Sequence, residues 1–181
     1  MRNEIARSAH PRFEMSDRRG VRAQDPPMSN QLVAFILGEQ RYALPLATVQ
    51  RVIRMVEVTA LPKAPDVVLG VIDLQGDIIP VLSMRKRFGM AEPETSLSDQ
   101  LIVADAGARR VALVVNSVAG VVEQATEEVT EAEKIVPGAQ YVEGMARLEG
   151  GILFIHDLDR FLSKKEERQL DGLLAQAAGT E

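Results

Sequence analysis

The chain has no cysteine and no tryptophan, only two histidines, and aromatic residues fill just 4% of its 181 positions. Without cysteine there are no disulfides and no thiolate chemistry, which suits a reducing compartment. His10 lies in a charged N-terminal stretch, so one ordered histidine, His156, remains, and it cannot build a usual zinc site. No apolar run approaches the ~20 residues that a membrane-spanning helix needs. The first residues carry scattered charge and no apolar segment of the secretory type. Gly-x-Gly-x-x-Gly, Gly-x-x-x-x-Gly-Lys-Ser/Thr and Gly-x-Ser-x-Gly are all missing, so no phosphate loop or nucleophile elbow is expected. A net charge of −5 disfavours a nucleic-acid binder, whose affinity rests on Lys and Arg. The expectation is a cytoplasmic protein, not an enzyme, with no metal and no cofactor.

What is present centres on Gly70 to Gly89. Two apolar runs flank Gln75-Gly76, a two-residue turn whose glycine can take positive φ. Ser83 then stands to cap a short helical turn that Gly89 ends. The unit returns at an offset of 74 residues, where Gly70, Leu74, Gly76 and Ile78 meet Gly144, Leu148, Gly150 and Ile152, and Asp157 takes the capping place of Ser83. A second block repeats at an offset of 69: Leu32, Gly38, Arg41, Ala43, Leu44, Val49 and Val52 match Leu101, Gly107, Arg110, Ala112, Leu113, Val118 and Val121. Two blocks in one order indicate a tandem duplication. Each copy has ~70 residues, marginal for a core of its own, so the copies should pack on each other.

Along the chain, residues 1–30 carry six Arg against four acidic residues and Pro26-Pro27, which is expected to be a disordered tail. Leu32–Leu37 and Arg41–Leu46 flank Gly38-Glu39-Gln40 as strand, turn and strand. The spacing of Val49, Val52 and Ile53 predicts one or two helical turns across Ala47–Ile53. Residues 91–99 form the expected boundary between copies. The second copy is expected as strands at Leu101–Asp105 and Arg110–Val115, a turn at Asn116–Ala119, and an acidic loop over Gln124–Gln140. Ser163-Lys164-Lys165-Glu166 has the capping-box form, and Leu170, Leu173 and Leu174 continue it as a C-terminal helix. The predicted fold is mainly β: two five-stranded barrel-like subdomains in tandem, about 31–95 and 96–162, sharing a core, with short seam helices and a C-terminal helix over 163–181.

Reactive groups are few. His156-Asp157-Leu158-Asp159 could form a metal or acid–base cluster, but a helix cap beside a strand-end histidine accounts for it more simply. Arg85-Lys86-Arg87 is surface charge or a docking contact for an acidic partner. The acidic run Glu123–Glu133 lacks a glycine-centred ligand loop.

Gly70-Val-Ile-Asp-Leu-Gln-Gly-Asp-Ile-Ile-Pro-Val-Leu-Ser-Met-Arg-Lys-Arg-Phe-Gly89 resembles the hairpin of the CheW family, the coupling proteins of bacterial chemosensory arrays. The resemblance extends over about Gln31 to Leu162 and includes Leu37-Gly38-Glu39-Gln40-Arg41-Tyr42-Ala43-Leu44-Pro45 and Gly144 to Leu158. It implies two SH3-like barrels, no active site, and two partners. One is the regulatory domain of a CheA-type histidine kinase, docking on barrel ends. The other is the cytoplasmic tip of a methyl-accepting chemoreceptor, in the groove between subdomains. On that basis Val49, Arg51, Asp73 and Gln75, with Arg54 added, are the receptor-side candidates, and Val56, Val58 and Leu61 the kinase-side ones. Asp73-Leu74-Gln75-Gly76 stands where the family has Asn-Leu-Arg-Gly, and Val49-Gln50-Arg51-Val52 where it has Val-x-Glu-Ile. These departures suggest a divergent receptor or a parallel pathway. Alternatives are a scaffold that binds the kinase but no receptor, and a detached regulatory module that binds a small ligand.

Overall fold

The computed structural model describes residues 29–125, 129–131, 142–148 and 151–178. Short apolar runs broken by glycine turns form the strands β1 (Ser29–Leu37), β2 (Gln40–Pro45), β3 (Val49–Arg54), β4 (Val68–Leu74), β5 (Asp77–Leu82), β6 (Gln100–Ala106), β7 (Arg109–Val115), β8 (Ser117–Ala125), β9 (Val129–Glu131), β10 (Val142–Leu148) and β11 (Gly151–His156). Helix α1 (Met84–Arg87) follows β5, and α2 (Lys164–Ala178) follows a 3-10 turn at Leu158–Arg160. A second 3-10 turn, Leu46–Thr48, precedes β3.

Hydrogen bonding sorts the strands into a terminal sheet, β8-β1-β2-β11-β10-β9, and a central sheet, β3-β6-β7-β5-β4. The protein is mainly β, with two SH3-like barrel units on a shared core; the terminal unit has six strands where five are expected. The division near residue 95 does not follow the pairing. The central sheet is built from residues 49–115, and the terminal sheet from 29–45 joined to 117–156. Each sheet joins the first hairpin of one copy to the later strands of the other. The link is a parallel pair, β2 with β11 and β5 with β7. Parallel neighbours need a long crossover, which each copy supplies by threading through its twin.

The duplication is visible in the registers. Val49↔Ala104 recurs as Val118↔Phe35, and Ile53↔Leu101 as Val122↔Leu32. Val81↔Ala112 recurs as Ile155↔Ala43, and Gly70↔Val81 as Gly144↔Ile155. Even the bulges repeat, with Gln50 the extra residue in β3 and Ala119 in β8.

Three cores follow from the alternation of side chains on strands. The central barrel buries Ile72, Ile79, Val81, Leu101, Val103 and Ala112. The terminal barrel buries their equivalents, Ala146, Leu153, Ile155, Leu32, Ala34 and Ala43. The opposite faces of β1, β2, β6 and β7 meet in the shared core, where Phe35, Leu44, Ile102 and Leu113 pack with Met84, Phe161 and Leu170. Burial on both faces explains the near-continuous apolar runs of these strands. His156 is buried here beside Tyr42 and Phe88, with ring centroids 5.2 and 4.8 Å away.

The central barrel closes through one bridge: the Thr59 amide donates to the Val71 carbonyl at 2.9 Å, and the Val71 amide to the Thr59 carbonyl at 2.8 Å. In the terminal barrel the two edge strands, β8 and β9, are consecutive in the chain, with residues 126–128 between them.

Several local expectations change. Ala47–Ile53 is a 3-10 turn followed by β3, not a helix, because the bulge at Gln50 breaks the strand alternation and mimics helical spacing. Asn116 alone joins β7 to β8 where a longer turn is expected. Within the acidic segment, Val129–Glu131 is β9, and residues 126–128 and 132–140 lie outside the described residues. The tail lies outside them too, except that Ser29 and Asn30 already belong to β1. Of Arg85-Lys86-Arg87, Lys86 is exposed while the two arginines are tied into the fold: Arg85 donates to Asn116 Oδ1 at 2.9 Å, and Arg87 pairs with Glu166 at 2.8 Å above the Phe161 ring.

The expected caps are present. The Ser83 hydroxyl accepts the Lys86 amide at 3.1 Å, and Asp157 accepts the Asp159 amide at 2.9 Å. At α2, the Ser163 amide donates to Glu166 Oε2 at 2.8 Å while the Glu166 amide donates back to the Ser163 hydroxyl at 3.3 Å. Burial pushes the Glu166 carboxyl up, but the bonds from Arg87 and Ser163 outweigh it and hold the group below its ordinary value. A carboxyl depressed in the folded state contributes stability that is present above the unfolded value of ~4.3 and lost as pH falls through the folded value. Acidification below about pH 4 is therefore expected to loosen α2, read as faster amide exchange in its first turns. Glu166→Gln should flatten that pH step.

Candidate functional site

Strand direction brings one end of the central barrel together. β3, β5 and β7 start there, and β4 and β6 finish there. At the β4–β5 turn Gln75 has φ 60° and Gly76 φ 92°. Positive φ at both central residues is the I′ geometry that matches strand twist. Asp73 Oδ1 accepts the Gly76 amide at 2.7 Å and holds the turn, leaving Gln75 exposed at its tip.

A line of polar contacts crosses the same end. Gln50 Nε2 donates to Asp105 Oδ2 at 2.6 Å, Arg110 Nε lies 4.0 Å from Asp105 Oδ1, and Arg110 Nη1 reaches Asp77 Oδ2 at 3.2 Å. The contacts step through β3, β6, β7 and β5. Asp77 and Arg110 are well exposed, and pairs of this kind contribute only ~0–1 kcal/mol. Beside Asp77, an open groove of about 490 Å³ runs between Ile78, Pro80, Arg110, Asp171 and Leu174.

Of the receptor-side candidates, Val49, Arg51, Asp73 and Gln75 belong to this end of the barrel. Arg54 does not: it pairs with Gln100 at the other end of β3. Arg51 is exposed and has no ion pair among the described residues. Among the kinase-side candidates, Val56 is 44% exposed. Val58 packs against the central interior and Leu61 against the shared core, so both are half-buried packing residues.

The reasoning from sequence missed Gln50, Asp77, Asp105 and Arg110, and it missed two exposed apolar pairs. Val52 and Ile78 on the central barrel are 38% and 50% exposed; their equivalents Val121 and Ile152 on the terminal barrel are 55% and 48% exposed. The charged line, by contrast, exists in one copy only. Where the central barrel has Gln50, Arg51, Asp77 and Asp105, the terminal barrel has Ala119, Gly120, Gly151 and Ile36. Of that line only Arg110 keeps a charged counterpart, Arg41, while Asp73 at the same end of the central barrel has Arg147 as its equivalent.

Asp157 is spent on its cap and on Arg160 at 3.3 Å. Among the described residues no group of three or more His, Cys, Asp or Glu could hold a metal ion, and no helix is long and apolar enough to cross a membrane.

The family model for the CheW-like domain matches residues 31–166. The chain is 27% identical over 149 residues to the chemotaxis protein CheW of Treponema pallidum (strain Nichols), covering 79% of this chain and 88% of the relative. It is 27% identical over 138 residues to the chemotaxis protein CheW of Rhizobium meliloti (strain 1021), covering 75% and 89%. The crystal structure of the scaffolding protein TtCheW from Thermoanaerobacter tengcongensis is similar with a TM-score of 0.71 and 26% identity, over 77% of this chain and 96% of that one.

Proposed function

The chain belongs to the CheW-like domain family, and from that premise we propose that it is a noncatalytic adaptor coupling the cytoplasmic tip of a chemoreceptor to the regulatory domain of a CheA-type histidine kinase. An adaptor needs two faces held rigidly on one body. The observation that carries the reading is a pair of barrels on one shared core, each with an exposed Val–Ile pair, and only one with the Gln50–Asp105–Arg110–Asp77 line of polar contacts. Val49, Arg51, Asp73 and Gln75 are proposed for the receptor, with Arg54 peripheral. Val56 is proposed for the kinase, with Val58 and Leu61 supporting it from behind. The protein would act in the cytoplasm, at receptor arrays beneath the membrane.

A second reading, a scaffold that binds the kinase but no receptor, is favoured by Arg51 and Gln75, which replace a family Glu and Arg. Pull-down of the kinase regulatory domain with and without soluble receptor tips decides. Capture of both in one complex is expected. Kinase capture alone selects the second reading, and capture of neither overturns both.

A further inference from the structure

The two copies inside the chain differ in what a matched bulge presents. Both carry the same bulge at the same register. In β8 the bulge presents Ala119 and Gly120, with open space around the glycine. In β3 it presents Gln50 and Arg51. A bulge gives a strand one extra residue and re-aims its neighbour. Here the extra residue, Gln50, is tied to Asp105 at 2.6 Å, and Asp105 faces Arg110, which is paired with Asp77. The carboxylates on this end have partners: Asp77 and Asp105 in the charged line, Asp73 in the turn. Arg51 has no ion pair among the described residues. Unpaired cations on a barrel rim are ordinary. One held by a tied bulge, on a barrel end whose carboxylates are already engaged, can make a charge-assisted bond to a partner without first breaking an internal one.

We propose that Arg51 is a charge-selecting residue for a partner helix bearing a carboxylate, and that Gln50 and Asp105 are positioning residues that fix the bulge presenting it. The inference rests on the adaptor reading and names the chemistry of its receptor partner: an acidic side chain at the contact, and discrimination against a basic one. Guanidinium and carboxylate match in planar, two-bond geometry, while like charges held together discriminate strongly.

The test uses the full chain and three soluble receptor-tip fragments that differ in one contact residue, Glu, Lys or Gln, with affinities measured by calorimetry at low and high salt. The wild type is expected to bind the Glu fragment at least tenfold more tightly, with the preference shrinking as salt rises. Arg51→Glu should invert the preference. Gln50→Ala and Asp105→Asn should reduce it to about two- to threefold while leaving the melting temperature and the binding of an uncharged Gln fragment unchanged; a purely structural role would weaken all three fragments alike. Binding of all fragments without charge preference overturns the inference and leaves the adaptor reading intact. Binding of none, in a chain that still captures the kinase domain, overturns both.

Discussion

Severed between Thr95 and Ser96, the chain is expected to give two pieces that do not fold alone and that recover β structure when mixed. The cut falls at the sequence boundary between the copies, yet it divides both barrels. Residues 29–95 keep the β1–β2 and β4–β5 hairpins but lose the partners of β1, β2, β3 and β5, namely β8, β11, β6 and β7. Isolated hairpins are marginal in water, and the shared core would be halved as well. Residues 46–116, by contrast, retain all the ladders of the central sheet. Circular dichroism and amide dispersion are expected to show a random profile for 29–95, a folded profile for 46–116, and recovery of the full spectrum on mixing 29–95 with 96–178. A cooperative melt from 29–95 alone would restore the simple tandem arrangement and remove the exchanged one.

That contrast shows what was legible in the residues and what was not. Contacts closed within a few positions were readable: the Ser83 cap, the Asp157 cap and the Ser163–Glu166 box all depend on local chemistry. The duplication was readable too, because identities at a fixed offset need no geometry. The exchange of hairpins was not. Matching Ala43 to Ala112 says that two copies exist but not that Ala43 pairs with Ile155 and Ala112 with Val81. Identity between copies is silent about burial: Val52 and Val121, or Ile78 and Ile152, are matched apolar residues yet stand partly exposed. At the candidate site, Arg51 and Gln75 stood out by departing from a family pattern. Gln50–Asp105 and Asp77–Arg110 could not stand out, because their members lie far apart in sequence and only strand order makes them neighbours; Asp105 and Arg110, opposite each other in the β6–β7 hairpin, were within reach of a local reading.

Gly70→Ala is expected to be among the most damaging single substitutions in the central barrel. A Cβ at this position would lie 2.2 Å from the Thr59 carbonyl oxygen and 2.8 Å from both the Thr59 carbonyl carbon and Val58 Cγ1. Two of those three atoms are backbone, so no rotamer relieves the clash. Thr59 makes the one bridge that closes the barrel onto β4, through bonds of 2.9 and 2.8 Å with Val71. Moving Thr59 away breaks both bonds and draws Val58 off the interior it packs against. The expected cost is about 3 kcal/mol or more, at the upper end for point mutations and a large share of a typical stability of about 5–15 kcal/mol. Gly76→Ala is the control: its φ is 92° but nothing lies within 4 Å, so only the left-handed backbone is strained, at about 1–2 kcal/mol. Urea titration separates the two by magnitude, and amide exchange separates them by place. In Gly70→Ala the Thr59 and Val71 amides should lose protection before the β6–β7 ladder does. Equal protection at Thr59 in mutant and wild type would mean that the barrel is not held shut by this bridge.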